Sequence, residues 1–74
     1  MDAKTNAGDR RVYRIVVRGQ VDEEFVAAYC PAAAEMTWDG EATCLSNIHT
    51  DQAGIVGLVR HLHSLGYFIL ALES

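Results

Sequence analysis

Apolar and polar residues alternate near the beginning of the chain. Over residues 12–18, one alternating set consists of Tyr13, Ile15 and Val17, and the other contains Arg14 and Arg18. This is the two-residue period of a β-strand that buries one face and exposes the other. The pattern predicts a first strand over residues 12–18.

A short helix is predicted next. Asp22 offers a carboxylate to the free amides of a helix start. Phe25 and Tyr29 follow at a spacing of four, as on one stripe of a helix. Pro31 disfavours helix at the residue before it, so the helix is expected to end near Tyr29. Residues 32–34 are compatible with a connector or with an extra helical turn.

The dipeptide at residues 39–40, Asp-Gly, is the strongest hairpin signal in the chain. Its residue types supply the positive φ angles of a two-residue turn. Strands are therefore predicted over residues 35–38 and 41–47. Met36 and Leu45 then share a face and are expected in the core.

A longer amphipathic helix and a last strand complete the pattern. Thr50 or Asp51 is expected to cap the helix, and Gly66 to end it in a left-handed conformation. Residues 67–72 are apolar at both alternating sets of positions, so both faces of that strand are expected to be covered. The helix has one apolar face, which consists of Ile55, Leu58, Val59, Leu62 and Leu65.

The order strand, helix, strand, strand, helix, strand predicts an α+β fold of the ferredoxin-like βαββαβ type. Right-handed crossovers place both helices on one face of a four-stranded antiparallel sheet. We expect residues 1–11 to form a flexible N-terminal tail and residues 12–74 to form a single domain.

The opposite face of such a sheet is bare, yet one apolar set of the last strand must lie on it. An apolar surface of this kind marks an interaction site. We therefore expect a homodimer, packed sheet against sheet or paired along an edge strand. The interface residues predicted on this basis are Val12, Arg14, Val16, Arg18, Tyr67 and Ile69.

Composition narrows the function classes. The chain has 74 residues and a net charge of −4, and five of its six basic residues precede residue 21. An acidic body repels phosphate, so nucleic acid is not expected as a partner. The longest apolar stretch is far shorter than the roughly 20 residues that cross a bilayer, so no membrane span is expected. Cys30 and Cys44 have no metal-binding or redox spacing and are expected to be reduced, in a cytoplasmic protein.

Catalytic groups are not evident in the sequence. His61 and His63 diverge on their helix and do not form a metal pair, so no metal or cofactor is expected. Gly54 and Gly57 are unusual, because glycine inside a helix costs up to about 1 kcal/mol. Their stripe indicates tight packing or a bound ligand. The candidate ligand-binding residues around it are Asn47, Asp51, Gln52, Gly54, Gly57 and His61.

The segment from Thr50 to Val59, continuing to Leu65-Gly66, resembles short stand-alone bacterial proteins of unknown function that are frequent in actinobacteria. The similarity extends over roughly residues 12–72, and it implies no established activity. The same helix and strand also resemble ACT regulatory domains, which share the fold and bind amino acids at dimer interfaces. In ACT domains the pattern lies on the first crossover, and here it lies on the second.

These observations favour a small non-enzymatic interaction or ligand-binding module that self-associates through its sheet. Its partner is expected to be a second copy, with a protein or small-molecule ligand as further candidates. The alternatives are a small cofactor-free enzyme of the dimeric α+β barrel type, or an accessory subunit of a larger enzyme. A polar cavity between two sheets would favour the enzyme.

Overall fold

The computed structural model of the protein describes residues 10–74. The first nine residues of the predicted tail lie outside this range. The elements are β1 (Arg11–Arg18), α1 (Glu23–Tyr29), β2 (Glu35–Trp38), β3 (Ala42–Thr50), α2 (Gln52–Ser64) and β4 (Phe68–Glu73). Within the described range, no helix is long and apolar enough to span a membrane.

The four strands form one antiparallel sheet in the order β2-β3-β1-β4. This order, with two helices in the crossovers, confirms the α+β ferredoxin-like prediction. The first and third strands are central, and β2 and β4 lie at the edges. Each edge strand keeps one side of its backbone unpaired within the described chain.

One hydrophobic core lies between the sheet and the two helices. Both helices contribute to the same cluster, so both lie on one side of the sheet. Two residues of the predicted helical stripes, Tyr29 and Leu65, are instead exposed, because each lies at the end of its helix. The buried core consists of Ile15, Val17, Val21, Phe25, Leu45, Ile48, Ile55, Leu58 and Leu62.

The ends of the helices follow the predictions in part. The carboxylate of Asp22 makes no capping bond within residues 10–74, and its backbone carbonyl instead accepts from the amides of the first turn. Asp51 caps α2 as predicted. At the other end, Gly66 has φ 90°, and Tyr67 N donates to the carbonyl oxygen of Leu62 at 3.1 Å. This is the left-handed Schellman ending of a helix.

The connector before β2 is a turn, in which Ala34 N donates to the carbonyl oxygen of Pro31 at 3.0 Å. No helical turn forms over residues 32–34. The alternative that the sequence left open is thereby decided in favour of a connector.

The hairpin between β2 and β3 has a different register from that of the expected two-residue turn. That turn would pair Trp38 with Glu41, whereas Trp38 pairs with Thr43. The Asp39 carboxylate accepts from the amides of Glu41 and Ala42, each at 2.8 Å. These hydrogen bonds lower the pKa of the Asp39 carboxyl, and the bond from Ala42 has the larger effect. They also place Asp39 at the base of the turn rather than at its tip.

A buried threonine ties the first crossover to the centre of the sheet. Thr43 is fully buried. Its hydroxyl donates to the carbonyl oxygen of Gly19 at 2.6 Å and accepts from the amide of Val21 at 3.1 Å. Both backbone groups lie in the loop between β1 and α1, where the chain leaves the sheet. The side chain thus satisfies polar groups that the sheet and the helix do not pair.

Candidate functional site

Large apolar side chains are exposed on the side of the sheet that no helix of residues 10–74 covers. Val12 is 48% exposed, Phe68 61% and Leu70 45%. Phe68 pairs with Arg18, which alternates with buried residues of β1 and so faces away from the helices. Leu70 lines a depression of about 350 Å³ beside Arg18 on the same side. We call this side the open face.

Charged side chains frame the apolar part of the open face. Arg14 Nη1 donates to Glu73 Oε1 at 2.8 Å, joining β1 to the end of β4. This hydrogen bond raises the pKa of the Arg14 guanidinium above its ordinary value. The guanidinium carbon of Arg18 lies 5.2 Å from the centre of the Phe68 ring, within cation–π range. The open face therefore carries exposed apolar side chains with charges of both signs among them.

Strand β4 has one residue more than the stretch of β1 with which it pairs. Val16 pairs with Ala71 and Val17 pairs with Ile69, so Leu70 is the extra residue of a β-bulge. Val16 faces the open side, which puts Ala71 there as well. The bulge therefore brings Leu70 and Ala71, two consecutive residues, to the open face.

The predicted interface residues divide between the two sides of the sheet. Tyr67 and Ile69 pack against the core, so they do not lie on the open face, and their role at an interface stays a prediction. Ile69 pairs with the buried Val17 and faces the helices, whereas Phe68 and Leu70 are exposed on the open face. The open face does carry the four predicted residues of β1, which are Val12, Arg14, Val16 and Arg18.

The start of α2 brings together three of the predicted ligand-binding residues, Asp51, Gln52 and Gly54. Asp51 Oδ1 already accepts from Gly54 N at 2.8 Å, so the carboxylate occupies an amide that an anion would need. A Cβ at Gly54 would clash with the Oγ1 atom of Thr50. The small size of Gly54 is therefore explained by packing within the chain.

The other three predicted ligand-binding residues engage separate partners. Asn47 has φ 57° at a bulge in β3, and its side-chain amide donates to the carbonyl oxygen of Ala33 at 3.1 Å. The ring of His61 stacks on Tyr29, with centroids 4.3 Å apart. At Gly57 a Cβ would meet no described atom within 4 Å. Asn47 and His61 are thus engaged with different parts of the domain, and their role in ligand binding stays a prediction.

A groove of about 360 Å³ lies between α1, the following connector and β2. Its walls include Cys30 and the apolar side chains of Val26 and Met36. Burial raises the pKa of the Cys30 thiol, which disfavours the nucleophilic thiolate. Across the part of the chain that the structure describes, no group of three His, Cys, Asp or Glu side chains could hold a metal ion.

The fold and this surface define a small α+β domain of ferredoxin-like plan, with exposed apolar side chains on the sheet face that no helix of residues 10–74 covers. Residues 12–73 match the family model described as Domain of unknown function (DUF8691), and the chain belongs to that family. No curated protein and no solved structure matches the chain significantly. The expected membership of an uncharacterised family is confirmed, whereas a bacterial origin and the ACT resemblance stay predictions.

Proposed function

We propose that the protein is a small non-enzymatic interaction module that self-associates through its sheet. The observation that carries the proposal is the exposure of Phe68, Leu70 and Val12 on the face without helices. Large apolar side chains exposed on one face of a sheet are typical of interaction sites. The partner we propose is a second copy of the chain.

The size of the domain supports self-association. A chain of about this length buries only roughly 60% of the surface that its unfolded form exposes, and small domains often gain stability through oligomers. A second copy bound through the sheet would remove exposed apolar groups at the contact from water. A cytoplasmic location is part of the proposal and agrees with the two free cysteines, Cys30 and Cys44.

The proposal is tested by measuring the molar mass with sedimentation equilibrium. Wild-type protein at about 100 µM should contain dimer, because this concentration populates complexes with micromolar dissociation constants. Leu70→Lys places a charge on the open face and should weaken the dimer by about tenfold or more. Val56→Lys is the control, since Val56 is 47% exposed and lies on α2.

A monomeric mass for the wild type over the whole concentration range would refute the proposal. Equal weakening by Leu70→Lys and Val56→Lys would refute it as well, because the open face would then have no special role. Circular dichroism spectra of both variants must match the wild type, so that a change in mass reports association and not unfolding.

A further inference from the structure

The side chains of β4 lie on the two faces of the sheet in an order that is the same from either end of the strand. Phe68 and Glu73, the first and last residues, pair with Arg18 and Arg14 and lie on the open face. The next residues inward, Ile69 and Leu72, face the helix side. Ile69 packs against the core. Leu72 is 48% exposed, and its pairing with the fully buried Ile15 places it on the helix side.

The bulge produces this order. In a regular six-residue strand the faces alternate, so its first and last residues lie on opposite sides. In β4 the bulge puts both Leu70 and Ala71 on the open face. The order is then open, helix, open, open, helix, open, and it reads the same in both directions.

We propose that β4 pairs antiparallel with β4 of a second copy about a two-fold axis between Leu70 and Ala71, forming a continuous eight-stranded sheet. This inference rests on the proposed self-association and names its surface, its partner and its register. In an antiparallel pair, directly opposite residues share a face. The register that meets this condition over all six residues pairs Phe68 with Glu73 of the partner subunit, and Ile69 and Leu70 with the partner's Leu72 and Ala71.

Opposed bulges make this register continuous. A bulge adds one residue to one strand, so a regular partner strand leaves that residue unpaired, as β1 does with Leu70. Two copies of β4 carry the extra residue at the same place, and the residue counts of the two strands match again. A shift by one residue would put open-face residues opposite helix-side residues along the strand.

Charge complementarity also favours this register. Glu73 of the partner subunit comes opposite Phe68, and the guanidinium of Arg18 lies over that ring. Each Glu73 carboxylate would then lie between its own Arg14, at 2.8 Å, and Arg18 across the interface. The remaining cross-strand pairs are apolar, which suits both the open face and the helix side.

Pairing along one edge buries less surface than the roughly 1,200 Å² of a stable standard interface, so a weak dimer is expected. Two single variants test the inference by sedimentation equilibrium. Leu70→Lys should weaken the dimer by about tenfold or more. Val12→Lys should leave it unchanged within about twofold, because Val12 lies on β1 and outside the β4 edge, whereas face-to-face packing would bury it.

The register is tested by the double variant Phe68→Cys/Glu73→Cys, with Cys30 and Cys44 replaced by serine. The two new thiols are separated by almost the length of β4 within one chain, so they cannot bridge internally. Oxidation by diamide should therefore give a covalent dimer, and Phe68→Cys alone should give none. In the register proposed, the thiol at position 68 lies opposite the thiol at position 73 of the partner subunit.

Three outcomes separate the two proposals. A dimer that survives Val12→Lys and forms the cross-link supports edge pairing. A dimer that is abolished by Val12→Lys overturns edge pairing and leaves self-association through the open face. A monomeric wild type overturns both proposals, and the β4 edge would then be free to pair with an extended segment of another protein. If the double variant does not fold, the response to Val12→Lys still decides.

Discussion

Thr43→Val is expected to destabilise the domain strongly although it changes the shape of the side chain very little. Valine has nearly the same shape as threonine, with a methyl group in place of the hydroxyl. The substitution therefore removes the 2.6 Å bond to the carbonyl oxygen of Gly19 and the 3.1 Å bond from the amide of Val21. Both backbone groups lose a partner that buried polar groups require.

The magnitude follows from the cost of leaving such groups unpaired. An unsatisfied buried donor or acceptor costs about 1–3 kcal/mol. The Val21 amide bond is buried, and the Gly19 carbonyl bond is partly buried, so we expect a total loss of about 2–4 kcal/mol. A domain of this length has a free energy of unfolding of about 4–11 kcal/mol. The substitution would remove a large share of it.

Urea unfolding followed by circular dichroism measures this loss. With a slope of about 1 kcal/mol per molar urea, the midpoint should fall by about 2–4 M with the slope unchanged. All variants must be compared at one protein concentration, because self-association would contribute to apparent stability.

Two controls isolate the role of the hydroxyl. Thr43→Ser keeps the hydroxyl and loses one methyl group, worth about 1 kcal/mol. Thr37→Val removes a hydroxyl from an exposed position of β2 and should change stability by less than about 0.5 kcal/mol. The reasoning is refuted if Thr43→Val costs no more than Thr43→Ser.

Three further predictions concern single residues. Gly57→Ala should raise the free energy of unfolding by about 0.4–1 kcal/mol, since the added Cβ meets no described atom within 4 Å. Gly54→Ala should lower the free energy of unfolding through the clash with Thr50. The opposite order of the two urea midpoints would contradict this. Because folding lowers the pKa of Asp39, its ionised form stabilises the fold above the unfolded pKa of about 3.9. The stability difference between wild type and Asp39→Ala should thus disappear as the pH falls through the folded pKa, and a difference independent of pH would exclude an ionic role. Because burial raises its thiol pKa, Cys30 should react with iodoacetamide at neutral pH more slowly than free cysteine does, as measured by mass spectrometry; an equal rate would contradict the burial.

The order and type of the elements could be predicted from the sequence because each buried face has its own period. Ile15 and Val17 show the two-residue period of β1, and both are fully buried. Ile55, Leu58 and Leu62 show the helical period of α2, and they form the helix side of the core. Local periodicity was sufficient here because the residues that show the period of a strand or helix are also the residues that the folded core buries.

The hairpin register and the faces of β4 depend on individual hydrogen bonds of the backbone, and they could not be predicted in this way. The Asp-Gly dipeptide correctly indicated a hairpin, but the Asp39 carboxylate binds the turn amides and shifts the register. In β4, alternation alone could not decide which set faces the helices, because both sets are apolar. The bulge at Leu70 also has no local sequence signal, since it arises from pairing with β1.

The same bulge explains how an apolar edge strand can be specific. A long, flat, apolar edge pairs readily with many extended chains, and bulges are one means by which proteins prevent this. At Leu70 the extra residue makes β4 a poorer match for a regular strand, because such a strand keeps its faces in agreement with β4 only by leaving Leu70 unpaired, as β1 does. A second β4 carries the same irregularity at the same place and matches along its whole length. The feature that discourages general edge-to-edge aggregation would therefore select a second copy of the chain as the partner.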